Sequence, residues 1–414
     1  MKSFDNKKIE KKIIEEKRKL IALSSNNKKN FINIKKNITF EIEEIEQCVV
    51  NKEQIIPEFD YKKIIFNSID KNLISLIKKR GCVIIRNVFD KKQIELWNDE
   101  LIKYIENNNY YEDQKEKANL DQYFSNLKSG KPQIFGLYWS KPQIEIRQSE
   151  EMAKVKSWLN HLWTFEFGEK KIFNPNLDLV YADRVRRREP GDSTLGLSPH
   201  CDAGSVERWI DNAFQKIYHY IFSDQFLNYD PFNANYRTET NEIPSPAVSH
   251  VFRTFQGWTA LTQQGPKDGT LKLIPLSKSI AYVLTRALQD DVPIESLCGS
   301  KPGRALSINS EYHALLLRAL VPIPTVYPGD TVWWHPDVGH AVEDKHEGKD
   351  YSNVIYIGAV PYCNKNIEYV KKQAINFLKG KSPPDFAAED YEVNYKDRAT
   401  IGDLTKLGKK QMAI

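Results

Sequence analysis

The sequence predicts a mainly β protein, with a closed or sandwiched β core and helical flanks. Two observations lead to that class. Between residues 180 and 360 the chain falls into short strand-like runs, VFRTFQGWTALTQ, PKDGTLKLIPLS, PGRALSI, PGDTVWWHP and SNVIYIGAVP, separated by Gly, Pro and Asp turns. Many short strands with such turns favour two packed sheets or a barrel over repeated strand–helix–strand units. Outside that region the apolar residues recur at helical spacing, so helices should pack around the strands rather than alternate with them.

Taken in order, residues 6–24 read as a helix in a charged background, SSNNKKN breaks it, and residues 33–60 read as an irregular arm. A helix is expected over 62–79, where Ile65, Ile69, Leu73 and Leu76 share a face. Gly81 stops it, and CVIIRNV follows as a buried strand of β-branched residues. Asp90 caps a further helix over 90–107. Residues 115–150 are expected to be loops and short elements carrying the aromatic run FGLYWS, and 151–167 a helix before a strand LVYADRV. Within the β region, helices should interrupt near 205–222, 277–288 and 311–320, and Asp268-Gly269 marks a tight turn. A last helix over 364–378 precedes a polar tail with Pro383-Pro384. The expected organisation is a basic arm (1–60), one composite domain (61–375) with an insertion near 207–250, and a helical and polar C-terminal extension (376–414).

The charge is localised. Of the formal +5, residues 1–30 contribute ten Lys/Arg against four Asp/Glu, which leaves the remainder near neutral. A basic arm on a neutral body argues against a nucleic-acid groove, which needs a dedicated basic patch. Five cysteines without a C-x-x-C pair indicate neither a disulfide framework nor structural zinc. No apolar run approaches bilayer length, and the first residues lack a secretory pattern, so a cytoplasmic protein without membrane association is expected.

Chemistry is announced by His200 and Asp202 in GLSPHCDAGSVERW, joined by His340 in PGDTVWWHPDVGHAVE. Two histidines and one carboxylate are the ligands that hold non-haem Fe(II) while leaving positions open. On a strand, residues two apart face the same side, so His200 and Asp202 can address one ion while Cys201 points away. An H-x-D triplet alone arises by chance in a chain this long. His335, on the aromatic strand before Pro336, competes with His340 as the distal ligand. His161, His219, His250, His313 and His346 have no comparable partner.

The stretches RVRRREPGDSTLGLSPHCDAGSVERW, FRTFQGWTALT, GDTVWWHPDVGHAVE and NVIYIGAVPYCNKN resemble the phytanoyl-hydroxylase-related Fe(II)/2-oxoglutarate-dependent oxygenases. Within that class the chain is most similar to the YbiU-like family, over about residues 75–375. The resemblance implies a double-stranded β-helix (jelly-roll, cupin-like) core with Fe(II) on His200, Asp202 and His340. It also implies 2-oxoglutarate as cosubstrate, dioxygen as oxidant, succinate and CO2 as products, and a small organic substrate. Such enzymes commonly place an Arg or Lys for the 5-carboxylate about ten residues after the distal histidine, where this chain has Lys349 in a charged turn. Arg318, alone in the apolar LLLRALVPIP, is the substitute favoured by sequence, with Arg208, Arg253 and Arg304 behind it. Gln256 and Thr259 could bond the cosubstrate, although strand alternation puts only one of them inside. The run RVRRRE at 184–189 reads as either an anionic-substrate site or a solvated strand edge, while Arg147, Tyr138 and Trp139 are candidates for a pocket mouth. The aromatic-rich 207–250 insertion could cover the site and exclude water. Two rival functions remain from sequence: a cupin-like iron enzyme that does not use 2-oxoglutarate, and a non-enzymatic β scaffold that binds a protein partner.

Overall fold

The computed structural model describes residues 6–117, 132–194, 199–246 and 248–414. Part of the expected 115–150 loop region and three residues of the GLSPHCD motif lie outside them.

Two sheets face each other. The larger has eight strands, in the order Glu58–Asp60, Cys82–Arg86, Thr331–Trp334, Phe255–Ala260, Ser352–Tyr362, Val185–Arg188 and Ile134–Phe135, with Asn174–Leu179 paired to the far end of Ser352–Tyr362. The smaller has five, in the order Leu306–Ser307, His200–Cys201, His340–Val342, Leu271–Leu273 and Val321–Pro322. All pairings are antiparallel except that of the first two strands of the larger sheet. Antiparallel strands that bury both faces need apolar residues at consecutive positions, which is why CVIIR, TVWW and FQGWTA lack polar alternation. Ile84, Val332, Trp258, Ala260 and Val354 turn inward and meet Leu271 and Leu273 of the smaller sheet. Their neighbours Val83, Ile85, Trp333, Phe255 and Ile355 turn outward onto helices, including Lys91–Asn107 and Glu150–His161.

Helix content corrects the mainly β expectation to a mixed β/α fold. No closed barrel is formed among the described residues, so the expected double-stranded β-helix is seen only as two opposed sheets. Residues 33–60 are not an irregular arm: Asn27–Asn51 is one helix that buries Ile34, Ile38, Ile42 and Ile45. Those residues recur every three or four positions, and the lysines, asparagines and glutamates between them occupy the solvent face. With Ile13 and Leu20 of Asn6–Leu23 they join the core formed by Trp209, Phe214, Ile280 and Leu284. The single helix expected over 62–79 is two, Lys62–Ile65 and Lys71–Arg80. Asp70 caps the second by accepting from the Asn72 amide, and Gly81 ends it in the left-handed conformation. LVYADRV is not one strand, since most of it bridges Asn174–Leu179 and Val185–Arg188.

The C-terminal segment is built into the body. The Glu392 carboxylate is buried and accepts from the Tyr104 hydroxyl and from the Tyr138 and Trp139 amides at 2.8, 2.6 and 3.0 Å. No helix among the described residues is long and apolar enough to cross a membrane.

Candidate metal centre

The ladder of the smaller sheet brings the distant histidines together. His340 is the register partner of His200, and side chains directly opposite on antiparallel strands stand about 5 Å apart. Their ring centroids are 4.4 Å apart. Asp202 follows the short strand immediately. His200 Nε2 lies 3.4 Å from one of its carboxylate oxygens, and His340 Nε2 lies 3.4 Å from the other. Ligand atoms from the three residues all fall within 4.8 Å of one another, and the three side chains line one cavity between the sheets.

The protonation states suit a cation. Burial alone would raise the Asp202 carboxyl, but the charge of His340, hydrogen bonds from both histidines and the charge of His200 hold it well below the usual carboxylate range. Burial, with the neighbouring His200, lowers His340, which favours the neutral imidazole a metal requires. Gln256 Nε2 donates to Asp202 at 2.6 Å from the facing sheet and fixes the carboxylate's orientation. Orienting hydrogen bonds of this kind hold first ligands in place at metal sites.

His335 is not part of the cluster. Its Nε2 donates to the Pro231 carbonyl at 2.9 Å, its Nδ1 accepts the Asp337 amide at 3.0 Å, and its ring stacks on Trp163 at 4.8 Å. Burial, opposed by Asp337, pushes it down to about 3. An unfolded histidine takes a proton below about 6.5, whereas folded His335 does not until about 3, so its contribution to stability is lost as pH falls through that window. His335→Gln should therefore lower stability at neutral pH yet flatten its pH dependence between 6 and 4. The flattening should approach one proton, about 1.4 kcal/mol per pH unit, in denaturant titrations at each pH.

The other residues singled out from sequence are dispersed. Arg318 is exposed and pairs with Glu46 on the outer helix Asn27–Asn51 at 2.6 Å, so it does not reach the cavity. Its apolar neighbours face the core while its own stem points to solvent. Lys349 is exposed in its turn, beside Asn98 and Asp268 and outside the cavity lining. Gln256 faces inward, whereas Thr259 pairs with Thr331 and Ile355 on the other face. Arg208 is fully buried against Asp337, and Arg304 does not line the cavity. Arg147 does not form a mouth: it is buried and donates to the carbonyls of Tyr138 and Asp183 at 2.6 and 2.5 Å. Trp139 is likewise buried, in a cluster with Phe377 and Leu404. Only the end of the 207–250 insertion, at Pro246, Val248 and Ser249, reaches the cavity; its helices pack in the second core.

RVRRRE is neither a solvated edge nor uniformly buried. Val185–Arg188 is flanked on both sides in the larger sheet, with Arg186 and Arg188 buried. Arg186 lines the cavity and donates to the Gly269 carbonyl at 2.8 Å, and no carboxylate among the described residues lies within ion-pair distance of it. Burial lowers its pKa, while the partly buried Tyr356 phenol beside it acts in the opposite direction. The cue was present in the sequence: alternation along RVRRR sends every second arginine inward.

Comparison with known proteins adds an independent line. A family model described as Gig2-like matches residues 7–414. The Escherichia coli protein YbiU is 39% identical over 386 residues, covering 93% of this chain and 91% of its own. A crystal structure of the E. coli hypothetical protein JW0805 superposes with a TM-score of 0.88 at 38% identity, covering 97% of this chain and 96% of that one. The GlcNAc-inducible Gig2 protein of Candida albicans (DUF1479) superposes with a TM-score of 0.81 at 28% identity, covering 99% and 89%.

Proposed function

Since the chain belongs to the Gig2-like family, related to the cupin and Fe(II)/2-oxoglutarate oxygenase superfamily, we propose that it hydroxylates a small organic substrate with 2-oxoglutarate as cosubstrate. Oxygenase-type activity at an Fe(II) centre follows from that membership together with the triad. The observation that carries the reading is the convergence of His200 Nε2, His340 Nε2 and the Asp202 carboxylate at the wall of an open cavity. When bound, Fe(II) with 2-oxoglutarate and dioxygen supplies the oxidant that converts a substrate C–H to C–OH, leaving succinate and CO2.

The chain's own residues bind, orient and exclude water. His200, Asp202 and His340 hold the metal from one side, and Gln256 keeps the carboxylate turned towards it. Trp258, Trp334 and Leu271 supply a dry wall, which strengthens every polar contact inside. Arg186 is the residue we assign to the 5-carboxylate of 2-oxoglutarate. It is buried, faces the cavity and has no acidic partner within ion-pair distance among the described residues, and its planar fork matches a carboxylate. Tyr356 stands beside it as a second donor. A buried guanidinium in the cavity also weighs against a cupin-like enzyme that needs no 2-oxoglutarate. The opposed sheets fit a double-stranded β-helix opened at one side, with 61–375 as its domain.

Anaerobic titration of the full chain with Fe(II) and 2-oxoglutarate should produce a weak visible charge-transfer band. In Arg186→Met the 2-oxoglutarate midpoint should rise about 10- to 100-fold, as expected for losing a charged hydrogen bond of roughly 1.5–3 kcal/mol. Arg318→Ala, which removes an exposed ion pair, should leave the midpoint where it was. An unchanged midpoint in Arg186→Met would remove this assignment.

A further inference from the structure

At the end of the cavity away from Arg186, a second guanidinium is unaccounted for. Arg253 is only 8% exposed and lines the cavity, yet it makes no hydrogen bond or ion pair with any described residue. The other arginines around it are engaged: Arg184 beside Asp183 at 3.6 Å, Arg186 on the Gly269 carbonyl, and Arg208 and Arg237 on Asp337. Arg253 lies over the ring of Tyr181, 5.5 Å from its centroid. Its stem runs across Gly358, where an added Cβ would come within 3.0 Å of the Arg253 Cδ. Gly358 is the register partner of Gln256, the residue bonded to Asp202, so the stem of Arg253 crosses the sheet next to the metal ligands. Phe386, brought in by the C-terminal segment, and Tyr181 give this end two aromatic walls.

We propose that Arg253 is the anchor of a substrate subsite that holds an oxyanion, the carboxylate or phosphate of an organic acid whose body lies against Tyr181 and Phe386. The proposal rests on the oxygenase reading, which makes this cavity a place where a substrate sits. A buried cation without a counter-charge is costly, and a bound oxyanion supplies both the charge and the acceptors it lacks. Arg186 pairs with Val354, four residues and roughly 13 Å along the strand from Gly358, over which the Arg253 stem runs, so the two side chains enter the cavity from different register positions. With Arg186 assigned to the cosubstrate, Arg253 is left for the substrate.

The test is calorimetric titration of the full chain, both metal-free and loaded anaerobically with Fe(II) and 2-oxoglutarate. The probes are phenylacetate, phenyl phosphate and the neutral phenylacetamide. At least one of the two anions should bind saturably and the amide should not, and the preferred anion identifies the headgroup. Arg253→Met should weaken the bound anion tenfold or more, Arg253→Lys should restore part of the loss, and neither should move the 2-oxoglutarate midpoint. Arg186→Met should do the reverse. Equal anion affinity in Arg253→Met, amide binding as tight as the anions, no anion binding, or a 2-oxoglutarate midpoint that shifts with Arg253 would each overturn the assignment. Failure of the oxygenase reading looks different: the charge-transfer band is then missing, while the metal-free isotherms still report on Arg253.

Discussion

Replacing Asp202 with alanine is expected to abolish the Fe(II)–2-oxoglutarate charge-transfer band and all substrate-dependent succinate formation while the chain stays folded. Asp202 is the only anionic member of the triad, and it bridges both histidines at 3.4 Å. Without it, two neutral imidazoles remain to hold a divalent ion that favours mixed nitrogen and oxygen ligands. Loss of an orienting hydrogen bond at a metal site typically costs 10- to 100-fold in affinity, so loss of the ligand should exceed about 100-fold. Gln256→Ala provides the graded comparison: it removes the 2.6 Å bond that orients Asp202, and its effect should fall within that lower range. Iron binding by Asp202→Ala at wild-type affinity would dismiss the centre. Asp202 is partly exposed to the cavity and follows a two-residue strand, so the alanine should cost little in fold stability. Thermal unfolding of the metal-free chain checks that point.

The geometry of this centre was partly legible in the sequence. The two-residue spacing of His200 and Asp202 placed an imidazole and a carboxylate on one side of the chain, and that is where they are found together. Which distal histidine joins them depends on ladder register, which no local pattern encodes: His340 lies opposite His200, while His335 ends the neighbouring Thr331–Trp334 strand and turns to Pro231. The cation for the cosubstrate was sought at Lys349, where the resemblance places it, and above all at Arg318, and both lie outside the cavity. Arg186, buried and facing the cavity, was weighed only as part of an anionic-substrate site or a strand edge. Arg318 misled for a physical reason. One charge among leucines reads as buried, but at a helix end its long stem can lie over apolar neighbours and still carry the head to solvent. The helix Asn27–Asn51 was obscured because its apolar residues are single isoleucines spaced among charges, a pattern that gains meaning only once a partner such as Ser279–Arg286 is packed against it.

Asp337→Ala is expected to be the most destabilising single substitution outside the hydrophobic core. Its carboxylate is fully buried three residues before His340. One oxygen accepts from Arg208 Nη1 at 2.6 Å and the Tyr218 hydroxyl at 2.9 Å, and the other from Arg237 Nη2 at 3.0 Å and the Tyr229 hydroxyl at 3.1 Å. Burial opposes its ionisation, but Arg237 and Arg208 overcome that and hold the carboxyl far below the usual range. The four donors all come from the 207–250 insertion, so this one side chain ties the insertion to the turn that delivers His340. Removing it leaves two buried guanidinium groups without a counter-charge, and breaking such a pair typically costs about 3–5 kcal/mol. Urea denaturation should show that loss. The triple variant Asp337→Leu, Arg208→Met, Arg237→Met should recover much of it, because an apolar replacement of a buried ionic cluster leaves no orphaned charge. In that repaired variant the helices of the insertion should remain while Fe(II) affinity falls, since the turn has lost its rigid tether. A loss below about 1 kcal/mol in Asp337→Ala would place the network among weak surface pairs and release the insertion from any role in positioning His340.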